Sequence, residues 1–132
     1  MIITPLQIRF NDMDPMMRVN NSSYASYLEL GRLDFCRQYL KIQELADIPF
    51  VLVRLEMDIQ QSLRPNMSAA VHTWVSRIGQ SSWDFRAEIR STDQADLVFV
   101  SARTVQVYFD YRANKKRAIP PEFRSCLQAE LL

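Results

Sequence analysis

Residues 20–40 read NNSSYASYLELGRLDFCRQYL, and this stretch decides the fold. Asn20, Asn21, Ser22 and Ser23 are all residue types whose side-chain oxygen caps a helix by accepting from a free backbone N–H. Beyond them the apolar positions fall at helical spacing: Tyr24, Tyr27, Leu28, Gly31, Phe35 and Leu40, flanked by Ala25, Leu30, Cys36 and Tyr39. The spacing predicts a helix to about residue 40, roughly 30 Å long at about 1.5 Å per residue. Its apolar stripe is wide, so the helix is expected to be wrapped rather than laid on a surface. Gly31 costs about 1 kcal/mol against Ala in such a position. Close approach to a sheet is the simplest compensation.

Working outward from this helix, residues 4–10 alternate, with Leu6, Ile8 and Phe10 on one side, and read as a half-buried strand. Residues 11–19, NDMDPMMRV, break that pattern; Asp14-Pro15 is a turn dipeptide. After the helix, period-two alternation marks strands over 52–59, 69–78, 82–90 and 97–109, with turns between them. Short turns predict antiparallel neighbours. Pro120-Pro121 opens a short amphipathic helix over 122–131, with Phe123, Leu127 and Leu131 on one side. The expected fold class is α+β: one long helix against a five-stranded, mainly antiparallel sheet, with a short C-terminal helix, in one domain over 1–132. No segment is left to cover the second face of the sheet. Trp74 or Trp83, with Tyr108, is therefore expected at a subunit contact.

Composition narrows the function. The chain has 132 residues, 16 Lys+Arg and 15 Asp+Glu, a formal net charge of +1. That balance lacks the cationic excess a nucleic-acid binder needs. Gly31 and Gly79 are the only glycines, which excludes a Gly-rich phosphate loop. His72, Cys36 and Cys126 are too few for a four-ligand structural zinc site, and any Ser-His or Cys-His catalysis would have to use His72. The cysteines are widely separated and read as free thiols of a reducing compartment. No apolar run is long enough to span a bilayer, and MIITPLQIRF lacks a signal-peptide pattern. A cytoplasmic protein is expected.

Three ordered blocks then carry a resemblance: Arg9-Phe10-Asn11-Asp12-Met13-Asp14-Pro15, Val19-Asn20-Asn21-Ser22-Ser23-Tyr24, and Tyr27-Leu28-Glu29 with Arg32. Together they resemble the opening of the hotdog-fold acyl-CoA thioesterases of the 4-hydroxybenzoyl-CoA thioesterase type. There, Asp-x-Asp precedes Gly-His-Val-Asn-Asn, then Tyr and a helical Glu-x-x-Arg. Gly79-Gln80-Ser81-Ser82 is similar to that family's Gly-x-Ser-Ser turn, and the strand from Arg103 to Val107 with the 116–120 exit is similar to its last strand and tail. The resemblance covers essentially the whole chain. It implies a hotdog fold and hydrolysis of an acyl-CoA without a cofactor. With no cationic or polar cluster at the pocket mouth beyond Arg18, a fatty or aromatic acyl group is expected rather than a charged one. Asp14 would be the catalytic carboxylate, as nucleophile or general base, and the Asn21 N–H would polarise the thioester carbonyl. It further implies homodimers whose sheets join edge to edge, homotetramers built from them, and active sites at subunit boundaries. The substrate would be a thioester of CoA or of acyl carrier protein. Met17-Arg18 stands where many relatives carry Gly-His.

Each of these residues also has a plainer reading. Asp14 could be a solvated turn former, and Asn20 and Asn21 simple caps. Asp12 is expected to pair with Arg9 or Arg18. Arg18 could be a surface charge, an ion pair or a CoA phosphate contact. Tyr24 could be core or acyl-pocket wall. Ser81 and Ser82 could be turn residues or border the pantetheine channel. Glu29 and Arg32 are expected as a structural i,i+3 pair, with Glu29 a second candidate carboxylate. His72 is expected on an outer strand face. The residues at 115–117, Lys-Lys-Arg, read as a solvated loop. A non-hydrolytic acyl-CoA binder and a structural subunit are the alternatives on the same fold.

Overall fold

A computed structural model describes residues 1–132, all of the chain. The long helix, α1 (Asn21–Tyr39), is capped by Asn20, whose side chain accepts from the Ser22 N–H. Gly31 lets α1 press onto the sheet: a Cβ there would stand 2.3 Å from Thr73 Oγ1 and 3.1 Å from Val71 Cγ1. Around it run β1 (Ile2–Pro5), β2 (Phe50–Ile59), β3 (Ala69–Ile78), β4 (Ser82–Ser91), β5 (Val98–Asp110) and β6 (Lys115–Lys116), followed by α2 (Pro121–Ala129). The sheet order is β1-β3-β4-β5-β2, with β6 paired to β5. Every pairing between these strands is antiparallel.

Two expectations are corrected here. β2 does not lie beside β3; it pairs with β5 at the opposite edge. Residues 60–68 carry the chain across the N-terminal end of α1, anchored by the fully buried Leu63. The Leu63 N–H donates to the Tyr24 hydroxyl (2.9 Å), and its carbonyl accepts from the Val19 N–H (2.8 Å). The first strand ends at Pro5 rather than Phe10 because its partner runs out. β3 begins at Ala69, whose carbonyl takes the last bond from the Leu6 N–H (3.0 Å). Leu6 and Ile8 still pack on the core, while Phe10 is exposed in a 3₁₀ turn over Phe10–Asp12.

The core has two halves. Around the first turns of α1, Tyr24, Tyr27 and Leu28 pack against Val71, Ile89 and Val100. Toward its end, Phe35 and Cys36 pack with Val75, Trp83, Phe85 and the α2 residues Phe123 and Leu127. Trp83 is therefore not a subunit contact. It is fully buried, edge-to-face against Phe50 (5.1 Å) and Phe123 (5.0 Å), because α2 closes over that end of the sheet.

Nor is the second face of the sheet an uncovered apolar surface. In register across it lie Trp74, Arg86, Arg103 and Glu56, and beside them His72, Glu88, Ser101 and Asp58. Asp84 accepts from Arg77 Nε (2.9 Å) and Arg103 Nε (2.7 Å). Burial alone would raise the Asp84 carboxyl, but these guanidinium bonds outweigh it and hold it below the usual carboxylate range. The exposed apolar surface lies instead along the β2 edge, at Leu52, Val53, Leu55 and Ile59.

Candidate functional site

The 12–20 segment folds into a small hairpin rooted at the capped end of α1. Its rungs are Asn20 N–H to Asp12 O (2.8 Å), a bridge between Met13 and Val19, and Asp14 N–H to Arg18 O (2.7 Å). The tip is a turn closed by Met17 N–H to Asp14 O (3.0 Å), with Pro15 in the position where its fixed φ is favourable. Met17 follows in the left-handed region, at φ 58°. A three-residue hairpin loop demands this conformation, and glycine adopts it without a Cβ penalty. The Met in this chain adopts it at a cost.

Asp14 is the first residue of that turn. Its Oδ1 accepts from the N–H groups of Met16 (2.8 Å) and Arg18 (3.1 Å). Oδ2 has no hydrogen-bond donor; the nearest cation is Arg18 Nε at 3.9 Å. So Asp14 does form a turn, and only one carboxylate oxygen is used in it. At the root of the hairpin the Asn20 side chain caps Ser22, accepting from its N–H (3.0 Å) and its hydroxyl (2.9 Å). The Asn21 N–H points out of the first turn with no acceptor in the chain, as expected for one of the four donors a helix leaves free. Asp14, Arg18, Asn20 and Asn21 are thus held by one short, cross-bonded segment.

Beneath them Asp12 is a structural anchor. It is 3% exposed and accepts from the Tyr27 hydroxyl (2.6 Å), the Arg9 N–H (3.0 Å) and Arg9 Nη2 (3.0 Å). Burial would raise its pKa, but these bonds outweigh it and hold it below the usual range, while burial and the same bond push the Tyr27 hydroxyl up. Arg9, not Arg18, is its cationic partner. Tyr24, 1% exposed, belongs to the core, with its hydroxyl spent on Leu63.

Ser81 and Ser82 lie elsewhere. Ser82 begins β4 opposite Val107, and Ser81 just before it accepts from the Tyr108 N–H, at the end of the sheet where the last turns of α1 pack, so a single chain does not bring them to Asp14. Ser81 instead lines a small cavity of about 210 Å³ with Gln80, Lys116 and Arg117. His72 is on the outer face beside Glu88; its pKa is lowered, first by burial and then by Arg90.

A larger cavity, of about 650 Å³, lies against the long helix. It runs along α1 from Ser26 to Cys36, between that helix and Phe50, Leu52, Leu45, Ile48 and Tyr111. Tyr27 and Arg9, the partners of Asp12, stand in its wall; Asp14 does not. Arg32 lies in it, 8% exposed. The expected Glu29–Arg32 pair does not form, because Arg32 turns into the buried stripe while Glu29 stays exposed. Burial lowers the Arg32 pKa, partly countered by the negative field of Glu29. The signal was present in the sequence: Arg32 interrupts the apolar stripe between Leu28, Gly31, Phe35 and Cys36. The Cys36 thiol, also on this wall, is pushed up to about 12 by burial and is not a nucleophile.

Comparison with known proteins places this geometry. The family model of the thioesterase-like superfamily matches residues 8–127. Among solved structures, a predicted thioesterase from Bacillus stearothermophilus is similar at TM-score 0.90 and 22% identity, covering 98% of this chain and 96% of that one. A Thermus thermophilus thioesterase complexed with coenzyme A and zinc is similar at 0.86 and 22%, covering 96% and 91%. A 1,4-dihydroxy-2-naphthoyl-CoA thioesterase from Synechocystis is similar at 0.84 and 15%, covering 96% and 94%. No curated protein sequence gives a significant match. The wrapped helix, the crossed β2 and the family match over 8–127 make this chain a hotdog-fold member of the thioesterase-like superfamily.

Proposed function

We propose that the protein hydrolyses an acyl-CoA thioester with a fatty or aromatic acyl group, releasing free acid and CoA. The observation that carries this reading is the half-used carboxylate of Asp14, fixed on a hairpin whose root is the open end of α1. A thioester needs little more. The Asn21 N–H and the positive end of the helix dipole stabilise the oxyanion, a donor of this kind being worth about 10²–10³ in rate. Oδ2 of Asp14 either takes a proton from an attacking water or attacks the carbonyl itself to give a mixed anhydride that water then opens. In both routes the C–S bond breaks and CoA leaves as a thiolate, which needs no strong general acid. Arg18, with Nε 3.9 Å from Asp14 Oδ2, stands where a phosphate of CoA could meet it.

The site is completed by a second subunit. Two chains join through their β2 edges, which expose Leu52, Val53, Leu55 and Ile59 beside an unpaired backbone edge. Pairs of dimers form the homotetramer, and Ser81 and Ser82 of a neighbouring chain border the pantetheine channel. The free thiols of Cys36 and Cys126 support a cytoplasmic setting. No helix is long and apolar enough to cross a membrane.

A non-hydrolytic acyl-CoA binder is the second reading, favoured by Met17-Arg18 in place of Gly-His and by the absence of Asp14 from the cavity wall of a single chain. Thiol release across an acyl-CoA panel decides between them. Turnover that Asp14→Asn abolishes supports the hydrolase. A rise in melting temperature with acyl-CoA but no thiol release supports the binder.

A further inference from the structure

Arg32 is the least explained charge in the molecule. Its residue is 8% exposed, in a cavity whose wall beside it is apolar (Leu33, Cys36, Phe50 and Leu52) and whose other polar residues are Gln7, Arg9, Ser26 and Glu29. It donates no hydrogen bond within the chain, and no carboxylate oxygen lies within salt-bridge distance; Glu29 acts on it only at longer range. A buried guanidinium left unanswered is costly, and its five fixed donors match a carboxylate in a two-pronged contact. The cavity follows α1 from Ser26 to Cys36, ten steps or about 15 Å of helix. At about 650 Å³ it falls in the range of small-molecule sites.

We propose that this cavity is the acyl pocket and that Arg32 binds a carboxylate at the far end of the acyl chain. The preferred substrates are then thioesters of dicarboxylic acids, apolar along their length and anionic at the tip. This rests on the thioesterase reading and replaces its fatty or aromatic acyl group with one that ends in a carboxylate. Arg32 is a specificity-determining residue, distant from the bond that breaks. Its partner in the substrate is an oxygen anion, which a plain fatty acyl chain cannot supply. A site built to pair a polar group rejects the analogue that lacks it far more strongly than an apolar pocket rejects an extra methylene.

Two measurements test it. The first compares kcat/KM for decanedioyl-CoA (the mono-thioester) and decanoyl-CoA in the wild type, Arg32→Met and Arg32→Lys. The expected wild-type preference for the diacid thioester is at least about tenfold, retained in sign by Lys and lost with Met. The second is the melting-temperature rise with monomethyl decanedioate, ionised at one end only, against the neutral methyl decanoate, which needs no turnover. Only the anion is expected to raise it, and only when residue 32 is cationic. If the half-ester binds but no thioester is cleaved, the pocket assignment stands and the hydrolase reading falls. Equal use and equal binding of both chains by the wild type would overturn the proposal. So would an Arg32→Met protein that keeps the wild-type preference but changes its oligomeric state, since the guanidinium would then answer a carboxylate of the second subunit.

Discussion

Asp14 shows how one side chain can close a turn and still leave an oxygen free for the proposed reaction. Oδ1 is committed to the Met16 and Arg18 N–H groups, so removing the side chain would loosen the hairpin as well as remove the charge. Asp14→Asn separates these roles. The amide oxygen keeps the two turn bonds, so melting temperature should change little, while kcat for thioester hydrolysis falls by about 10²–10⁴. A protein equally active with Asn would end the catalytic assignment. Met17 offers the converse case. At φ 58° it holds a conformation disfavoured for residues with a Cβ, and Met17→Gly should stabilise the fold by about 1 kcal/mol in a denaturant titration. The turn at Asp14 and the cap at Asn20 were legible because their chemistry is local: both side chains bond within four positions of themselves, whereas Asp12 also reaches Tyr27. Arg32 was not legible, because its i,i+3 spacing to Glu29 predicts a surface pair, and only the depth of the stripe beneath Gly31 shows that the guanidinium is drawn inward.

Among the elements, α1 sits as its sequence requires. Its cap, length and wide stripe are all encoded within it, and Gly31 meets Thr73 and Val71. Gly31→Ala gains about 1 kcal/mol of helix propensity but drives a methyl into Thr73 Oγ1, with overpacking costs of about 1–3 kcal/mol. Net destabilisation is expected, and Thr73→Ala should relieve part of it; chemical denaturation of the double-mutant cycle reads the coupling. The strands were visible one by one from their alternation. Their order was not. Alternation fixes which face a residue takes but carries no information on the neighbour, and Leu63, which pins the 60–68 crossing, looks in sequence like any apolar residue in a loop. Trp83 misled for a related reason, since the cover over it comes from a short helix some forty residues later.

For the whole molecule, two ion-paired carboxylates contribute to acid stability, Asp84 on the outer sheet face and Asp12 beneath the hairpin. Asp84 and Asp12 have folded-state pKa values below their unfolded ones. Each therefore contributes stability that is full above the unfolded carboxylate value of about 3.9 and is lost as pH falls through the lower folded value. His72, whose pKa is lowered by burial and Arg90, adds an earlier loss that begins as pH falls below about 6.5. Melting temperature against pH should therefore decline gently from about pH 6.5 and steeply below about pH 4, with Asp84→Asn flattening the steep part. A steep part unchanged in that variant would show that Asp84 does not govern it.

The crossing at Leu63 bears on how the molecule comes together. Val19 at the base of the hairpin and Tyr24 in the first turn of α1 are both tied to a residue some forty positions downstream. A nascent chain can wind α1 early, but the capped end of the helix stays unfastened until β2 has been laid down and the following loop has swung over. The site proposed at that end therefore hangs on a clasp far from it in sequence.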